Sequence, residues 1–157
     1  MRSPCIDTSV RHIAVLADLH LGRRDATDQF KADDEAFVDA LAQVVARVDR
    51  VFLLGDILEL QRGPFPFAYR YERDVVAREH KPLVDFLREP KFLWFKGNHD
   101  SLLATTDGAL DELRLDVAGE KAIFLHGDRA DWVVREVPFV QGFGSWLGGI
   151  AERAGMG

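Results

Sequence analysis

The sequence is poor in several features, and each shortage removes a class of protein. Cys5 is the single cysteine, so no disulfide can form within the chain and nothing marks an oxidising compartment. Met1 to Val10 hold no apolar run of the kind a signal peptide needs, and no later run approaches a membrane span. Positive charge is in deficit: 20 Lys and Arg stand against 26 Asp and Glu, a formal net charge of −6. A nonspecific nucleic-acid binder needs a basic surface, so no nucleic-acid partner is expected. There is no internal repeat, low-complexity tract or linker. The expectation is a cytoplasmic globular protein of one domain, since 157 residues can bury a single core.

What is present is an alternation of apolar runs and helix-period segments. His12 to Ala17, Val51 to Leu54 and Lys91 to Lys96 are short, nearly continuous apolar runs of the kind buried strands show. Lys31 to Val48 predicts a helix whose apolar face is Phe37, Leu41, Val44, Val45 and Val48. Asp33, Asp34 and Glu35 fall in its first turn, where the helix dipole favours negative charge. Glu72 to Arg88 predicts a second helical stretch that Pro82 kinks or splits. Between them lies an aromatic loop, Gln61 to Tyr71. Leu113 to Val117 and Lys121 to Leu125 predict a hairpin across Ala118-Gly119-Glu120. This order implies an α/β fold with a largely parallel sheet. The tail from Asp131 onward leans to helix and is rich in glycine and apolar residues.

Each strand ends in a polar cluster: Asp18-Leu19-His20, then Gly55-Asp56 with Glu59 beyond, then Gly97-Asn98-His99-Asp100, and His126-Gly127-Asp128 after the hairpin. Ligands of parallel sheets bind outside the carboxyl ends of the strands, so the clusters should converge. Carboxylate, imidazole and amide ligands without thiolate suit manganese, iron, zinc or magnesium. In a strand, residues i and i+2 point to one side, so Asp18 and His20 could reach one ion. The glycines before Asp56 and Asn98 let the backbone turn sharply.

Taken in order, Asp18-x-His20, Gly55-Asp56, Gly97-Asn98-His99-Asp100 and His126-Gly127-Asp128 resemble the motifs of the calcineurin-like metallophosphoesterases, over about residues 12–128. The resemblance implies two divalent ions, manganese first. Asp18 and His20 would hold one ion, Asn98 and His126 the other, and Asp56 would bridge them. It implies hydrolysis of a phosphate ester or pyrophosphate, with His99 protonating the leaving group and Asp100 orienting it. The run Gly55 to Leu60 and His126 to Asp131 look like the UDP-2,3-diacylglucosamine pyrophosphohydrolase branch, and its broader relatives, phosphoesterases of unassigned substrate, fit equally well. That branch implies a phosphorylated small molecule or nucleotide-sugar lipid as substrate, although its members tend to carry Arg where this chain has His99. The family's last motif, Gly-His-x-His, is not found, since no histidine follows His126. The expectation is therefore the front part of a four-layer α/β/β/α metallophosphoesterase sandwich, lacking the usual C-terminal part, with residues 1–10 unstructured. The rival is a non-catalytic protein-binding scaffold on the same fold, or an inactive fragment.

Plainer readings stand beside these. Asp100 could cap a helix. Glu59 and Asp128 could support the metal ligands from behind, though capping or solvent-facing carboxylates are the readier reading, and Arg23 and Arg24 read as surface arginines rather than phosphate clamps. His12 and His80 read as structural. Phe65, Phe67, Tyr69 and Tyr71 line a pocket or pack on the core. Trp132, Phe139, Phe143, Trp146, Leu147 and Ile150 pack against the missing half of the sandwich, or else make a lipid groove or a membrane contact through residues 132–150.

Overall fold

A computed structural model describes residues 10–117, 120–130 and 138–155. Three parallel strands form the main sheet: β1 (Ile13–Leu16), β2 (Arg50–Leu54) and β3 (Phe92–Phe95), in that spatial order. α1 (Asp34–Val45) joins the first two, and α2 (Tyr69–Glu79) and α3 (Lys81–Leu87) join the last two. A short α4 (Leu103–Thr106) follows, then the antiparallel hairpin β4 (Leu113–Val117) and β5 (Glu120–Phe124), a 3₁₀ turn at Gly127–Ala130, and α5 (Pro138–Arg153). This is the α/β architecture with a parallel sheet that the alternation implied.

Period-two alternation in β2 divides the core between the two faces of the sheet. Val51 and Leu53 face the helices, packing with Leu41, Val45, Leu83, Val84 and Leu87. Phe52 faces the hairpin, meeting Phe95 and Phe124 with ring centroids 5.6 and 4.8 Å apart. The hairpin leaves Val15 and Ile123 on that side more than half exposed.

Several expected boundaries move. α1 is shorter than Lys31 to Val48, because Asp33 caps it by accepting from the Ala36 amide at 2.9 Å. Val44 is turned to solvent rather than into the expected face. Pro82 does split the second helical stretch. The chain breaks at His80, and Pro82 sits in the first turn of α3, where its missing N–H is no loss. α2 starts at Tyr69, inside the stretch read as loop. β5 begins at Glu120, and the hairpin residues 118–119 lie outside the described residues. So do Cys5 with residues 1–9, Asp131, Trp132 and the side chain of Phe139, whereas Val10 is buried.

The tail's apolar residues divide as a helix makes them. Trp146 donates its indole N–H to the Pro64 carbonyl at 3.4 Å, and Gly142 and Gly149 lie against Tyr69 and Arg62. α5 thus packs on residues 62–69 of its own chain, and Phe143, Leu147 and Ile150 stay exposed on its outer side.

Candidate metal centre

The three parallel strands end at Leu16, Leu54 and Phe95, and the backbone remains paired just beyond them. Asp18 N donates to Gly55 O at 3.2 Å, and His20 N to Asp56 O at 3.0 Å. Leu21 and Glu59 then exchange amide contacts with the neighbouring loop at 2.9 Å. This pairing lays the first two motifs side by side.

Asp18, His20 and Asp56 all adopt the left-handed conformation, with φ of 57°, 49° and 52°. Such residues persist where the surroundings over-determine them, and in structures they cluster at working sites. Their conformation also overturns the reason given for pairing Asp18 with His20. Neither residue is in β1, so the rule that i and i+2 share a side does not apply. Donor atoms instead converge as two triads, Asp18 with Asp56 and His126, and His20 with Asp56 and His99, all within 4.8 Å in each. Asp56 is common to both. Asn98 lies half-buried in the turn between Gly97 and His99, and its backbone carbonyl accepts from Gln61 Nε2 at 2.5 Å.

The two motif glycines serve different needs. Gly55 has φ +80°, where a side chain is strained. Gly97 has no such angle, but a Cβ there would fall 2.1 Å from Asp56 Oδ1. Gly97 is glycine because the second motif approaches its backbone that closely.

Asp100 was expected to orient His99 or cap a helix, and it does neither. Fully buried, it accepts from the amides of Gly97 (2.7 Å), Ile57 (2.8 Å) and Leu58 (3.3 Å), tying the second motif to the third. Burial pushes its carboxyl up to about 6 against the pull of these amides. The orienting contact comes from Glu59, the residue given the weaker reading from sequence. Its Oε1 lies 2.9 Å from His99 Nδ1 and also accepts from the amides of Gln61 and Arg62. Its Oε2 lies 2.8 Å from His99 Nδ1 and 3.3 Å from His20 Nδ1, in neither case with hydrogen-bond geometry. Burial raises the Glu59 carboxyl, but the His20 and His99 contacts outweigh it and hold the group at about 2. An ionised carboxylate only accepts, so the proton between the pair sits on His99 Nδ1. A signal existed in the sequence: Glu59 falls three residues after Asp56, one turn further along the same loop.

His126 carries the most telling geometry. Its Nδ1 lies 2.7 Å from the Leu54 carbonyl and must donate to it. Its Nε2 therefore points a bare lone pair at Asp56 Oδ2, 3.4 Å away, unless a proton or cation stands between them. In the metal-free chain a proton does so, and the Asp56 contact, followed by the Leu54 bond, raises His126 to about 9. Burial lifts Asp56 less than His126 and the His99 amide hold it down, so its carboxyl lies below the ordinary range. His99 is raised as well, Glu59 overcoming burial.

The remaining polar residues are occupied elsewhere. Arg23 pairs with Glu72 at 2.6 Å and stacks on Tyr71, its Nη2 having no hydrogen-bond partner among the described residues, and Arg24 pairs with Asp34 at 2.6 Å. His12 is an exposed strand-end residue 3.9 Å from Asp49. His80 is enclosed by Asp34 and Asp28 at 2.9 and 3.3 Å.

No family model matches the chain, and no curated protein matches it. Among solved structures it is similar to a conserved uncharacterized protein of Streptococcus pneumoniae TIGR4, described as a predicted phosphoesterase. The TM-score is 0.39 and the identity 19%, over 86% of this chain and 56% of that one. This chain thus spans little more than half the length of that structure. Among the described residues no helix is long and apolar enough to cross a membrane.

Proposed function

We propose that this chain hydrolyses a phosphate ester or pyrophosphate with the help of two divalent ions, manganese first among the candidates. The observation that carries the reading is the single carboxylate of Asp56, faced by histidine nitrogen on two sides and common to both donor triads. The donor set fits a cation: the His126 Nε2 lone pair and Asp56 Oδ2 are two acceptors aimed at each other. A histidine whose other nitrogen is fixed by a carbonyl is also the usual form of a metal ligand.

The residues that would hold the ions are Asp18, His20, Asp56, Asn98 and His126. When bound, the ions would neutralise the phosphate charge and activate water. The chain itself supplies the proton chemistry. Glu59 fixes the proton on His99 Nδ1 and stabilises the imidazolium, which leaves Nε2 to deliver a proton to the departing oxygen. Asp100 keeps the turn carrying His99 against the loop carrying Asp56. Exposed Phe65, Phe67 and Tyr71 after the second motif, with the outer face of α5, support an amphipathic substrate of the nucleotide-sugar-lipid kind.

The test is manganese titration followed by turnover of an aryl phosphate and of UDP-2,3-diacylglucosamine. Asp56→Asn should weaken manganese binding by more than the ~100-fold that loss of an outer partner costs, and should abolish turnover. Turnover that survives Asp56→Asn, or a wild-type chain inert with manganese, iron, zinc and magnesium alike, would remove the reading.

A further inference from the structure

We propose that Arg62 is a positioning residue for Glu59, and so for His20 and His99, and that α5 holds Arg62 in place; this rests on the hydrolase reading above. Arg62 stands between the two. On one side its Nη1 donates to Glu152 Oε1 of α5 at 2.7 Å. On the other its Nε lies 3.7 Å from Glu59 Oε2. Both of those facing atoms are buried and neither makes a hydrogen bond; Glu59 Oε2 also lies 2.8 Å from His99 Nδ1 and 3.3 Å from His20 Nδ1, so the guanidinium shares that oxygen with the two rings. Moving the guanidinium away would leave Glu59 Oε2 still less compensated. The carboxylate, losing the pull from the α5 side, would then shift relative to the two imidazoles.

The backbone of Arg62 is held by the same helix. Arg153 Nη2 donates to Arg62 O at 2.6 Å, while its Nε reaches Asp25 Oδ2 at 2.8 Å on the loop after the first motif. Gly149 lies so close that a Cβ would fall 2.9 Å from Arg62 O and 3.1 Å from Arg62 Cβ. One turn of α5 therefore clasps the loops that follow the first and second motifs. The Gln29 amide, with its oxygen toward the guanidinium, adds contacts of 3.2 and 3.3 Å. Every other partner of Arg62 thus lies on the side away from the metal centre or on its own loop, and the charge it offers Glu59 is the part that points inward.

The experiment uses the full chain and three variants, Arg62→Ala, Glu152→Ala and Gly149→Leu, with Glu59→Gln as reference. Imidazole nitrogen shifts of His20 and His99 are read at fixed pH in metal-free protein through their carbon-bound ring protons. Turnover of an aryl phosphate is measured with manganese. The variants should move the ring shifts toward those of Glu59→Gln. They should lower kcat by about 10–100-fold, the usual consequence of losing an outer partner, with KM nearly unchanged. Glu152 is one-third exposed, so its loss leaves the fold intact, as a cooperative thermal transition would verify. Ring shifts that stay at wild-type positions in Arg62→Ala and Glu152→Ala overturn the proposal, whatever the turnover. Shifts that move as expected in a chain without turnover leave the positioning role standing and remove the hydrolase reading alone.

Discussion

His80 and His99 meet carboxylates in similar fashion at two places in the molecule. At the junction of α2 and α3, His80 is fully buried and has both ring nitrogens engaged, by Asp34 at 2.9 Å and Asp28 at 3.3 Å. In the turn after β3, His99 has Nδ1 on Glu59 at 2.9 Å, and among the described residues its Nε2 has no hydrogen-bond partner. The first arrangement spends both nitrogens on holding three segments together. Asp28 and Asp34 in turn accept from Gly22, Phe30 and the Arg24 guanidinium, so the whole loop after the first motif hangs from His80. The second arrangement spares one nitrogen and leaves a route to it. A buried histidine with a carboxylate is thus no sign of chemistry by itself; what decides is whether one nitrogen remains unspent beside the other ligands.

Exchanging each ring for alanine breaks the comparison most directly. His99→Ala should reduce kcat by about 10²–10⁴-fold, the usual worth of a positioned general acid. It should leave folding much less affected, because Glu59 keeps the Gln61 and Arg62 amides at 3.0 and 3.2 Å. Steady-state kinetics and thermal melts on one preparation would show it. An equal loss of activity and of cooperative folding would place His99 in the structural class with His80.

His80→Ala should do the reverse. It takes the ring partner from two carboxylates, both less than a tenth exposed, and leaves the Arg24 guanidinium on Asp34. Removing the partner of a buried acceptor costs about 1–3 kcal/mol, more where it is charged, and two acceptors lose one here, enough to unfold much of a marginal domain. Urea denaturation reads the loss. Whatever fraction remains folded should turn over at the wild-type rate, and a kcat deficit in that fraction would bring His80 into the catalytic account.

Much of this could be read from residues alone. The three strands, the break near Pro82 and the convergence of Asp18, Asp56, His99 and His126 follow from apolar runs and from polar clusters at strand ends. What could not be read depended on distance across the fold. Glu59 and Asp100 are both acidic and close to a motif, and spacing cannot say which carboxylate faces a ring and which turns back onto amides. Asp18 and His20 were paired on strand geometry, but the strand stops at Leu16 and the left-handed φ values that follow were not foreseeable from side-chain types. The tail was legible as helix. Its docking on Arg62 was not, because it rests on Gly149 being small at one contact.

The smallest expected effect is a dependence on pH, and it sharpens the contrast between a histidine that serves structure and one that waits for a cation. In the metal-free chain His126 is raised to about 9. A group so raised contributes stability that is fully present below its unfolded value of 6.5 and is lost as pH climbs through 9. Glu59, held at about 2, acts oppositely: its contribution is present above 4.5 and disappears as pH falls through 2. Asp100, raised to about 6, favours the fold while protonated, fully below 3.8 and no longer above 6. The melting temperature of metal-free protein should therefore decline from about pH 6.5 to 9. Manganese must displace the His126 proton to bind, so its apparent affinity should rise by about tenfold per pH unit over the same range. Melts with and without saturating manganese should accordingly diverge as pH rises. If they run parallel, the proton and the ion do not compete for His126 Nε2, and the metal site lies elsewhere.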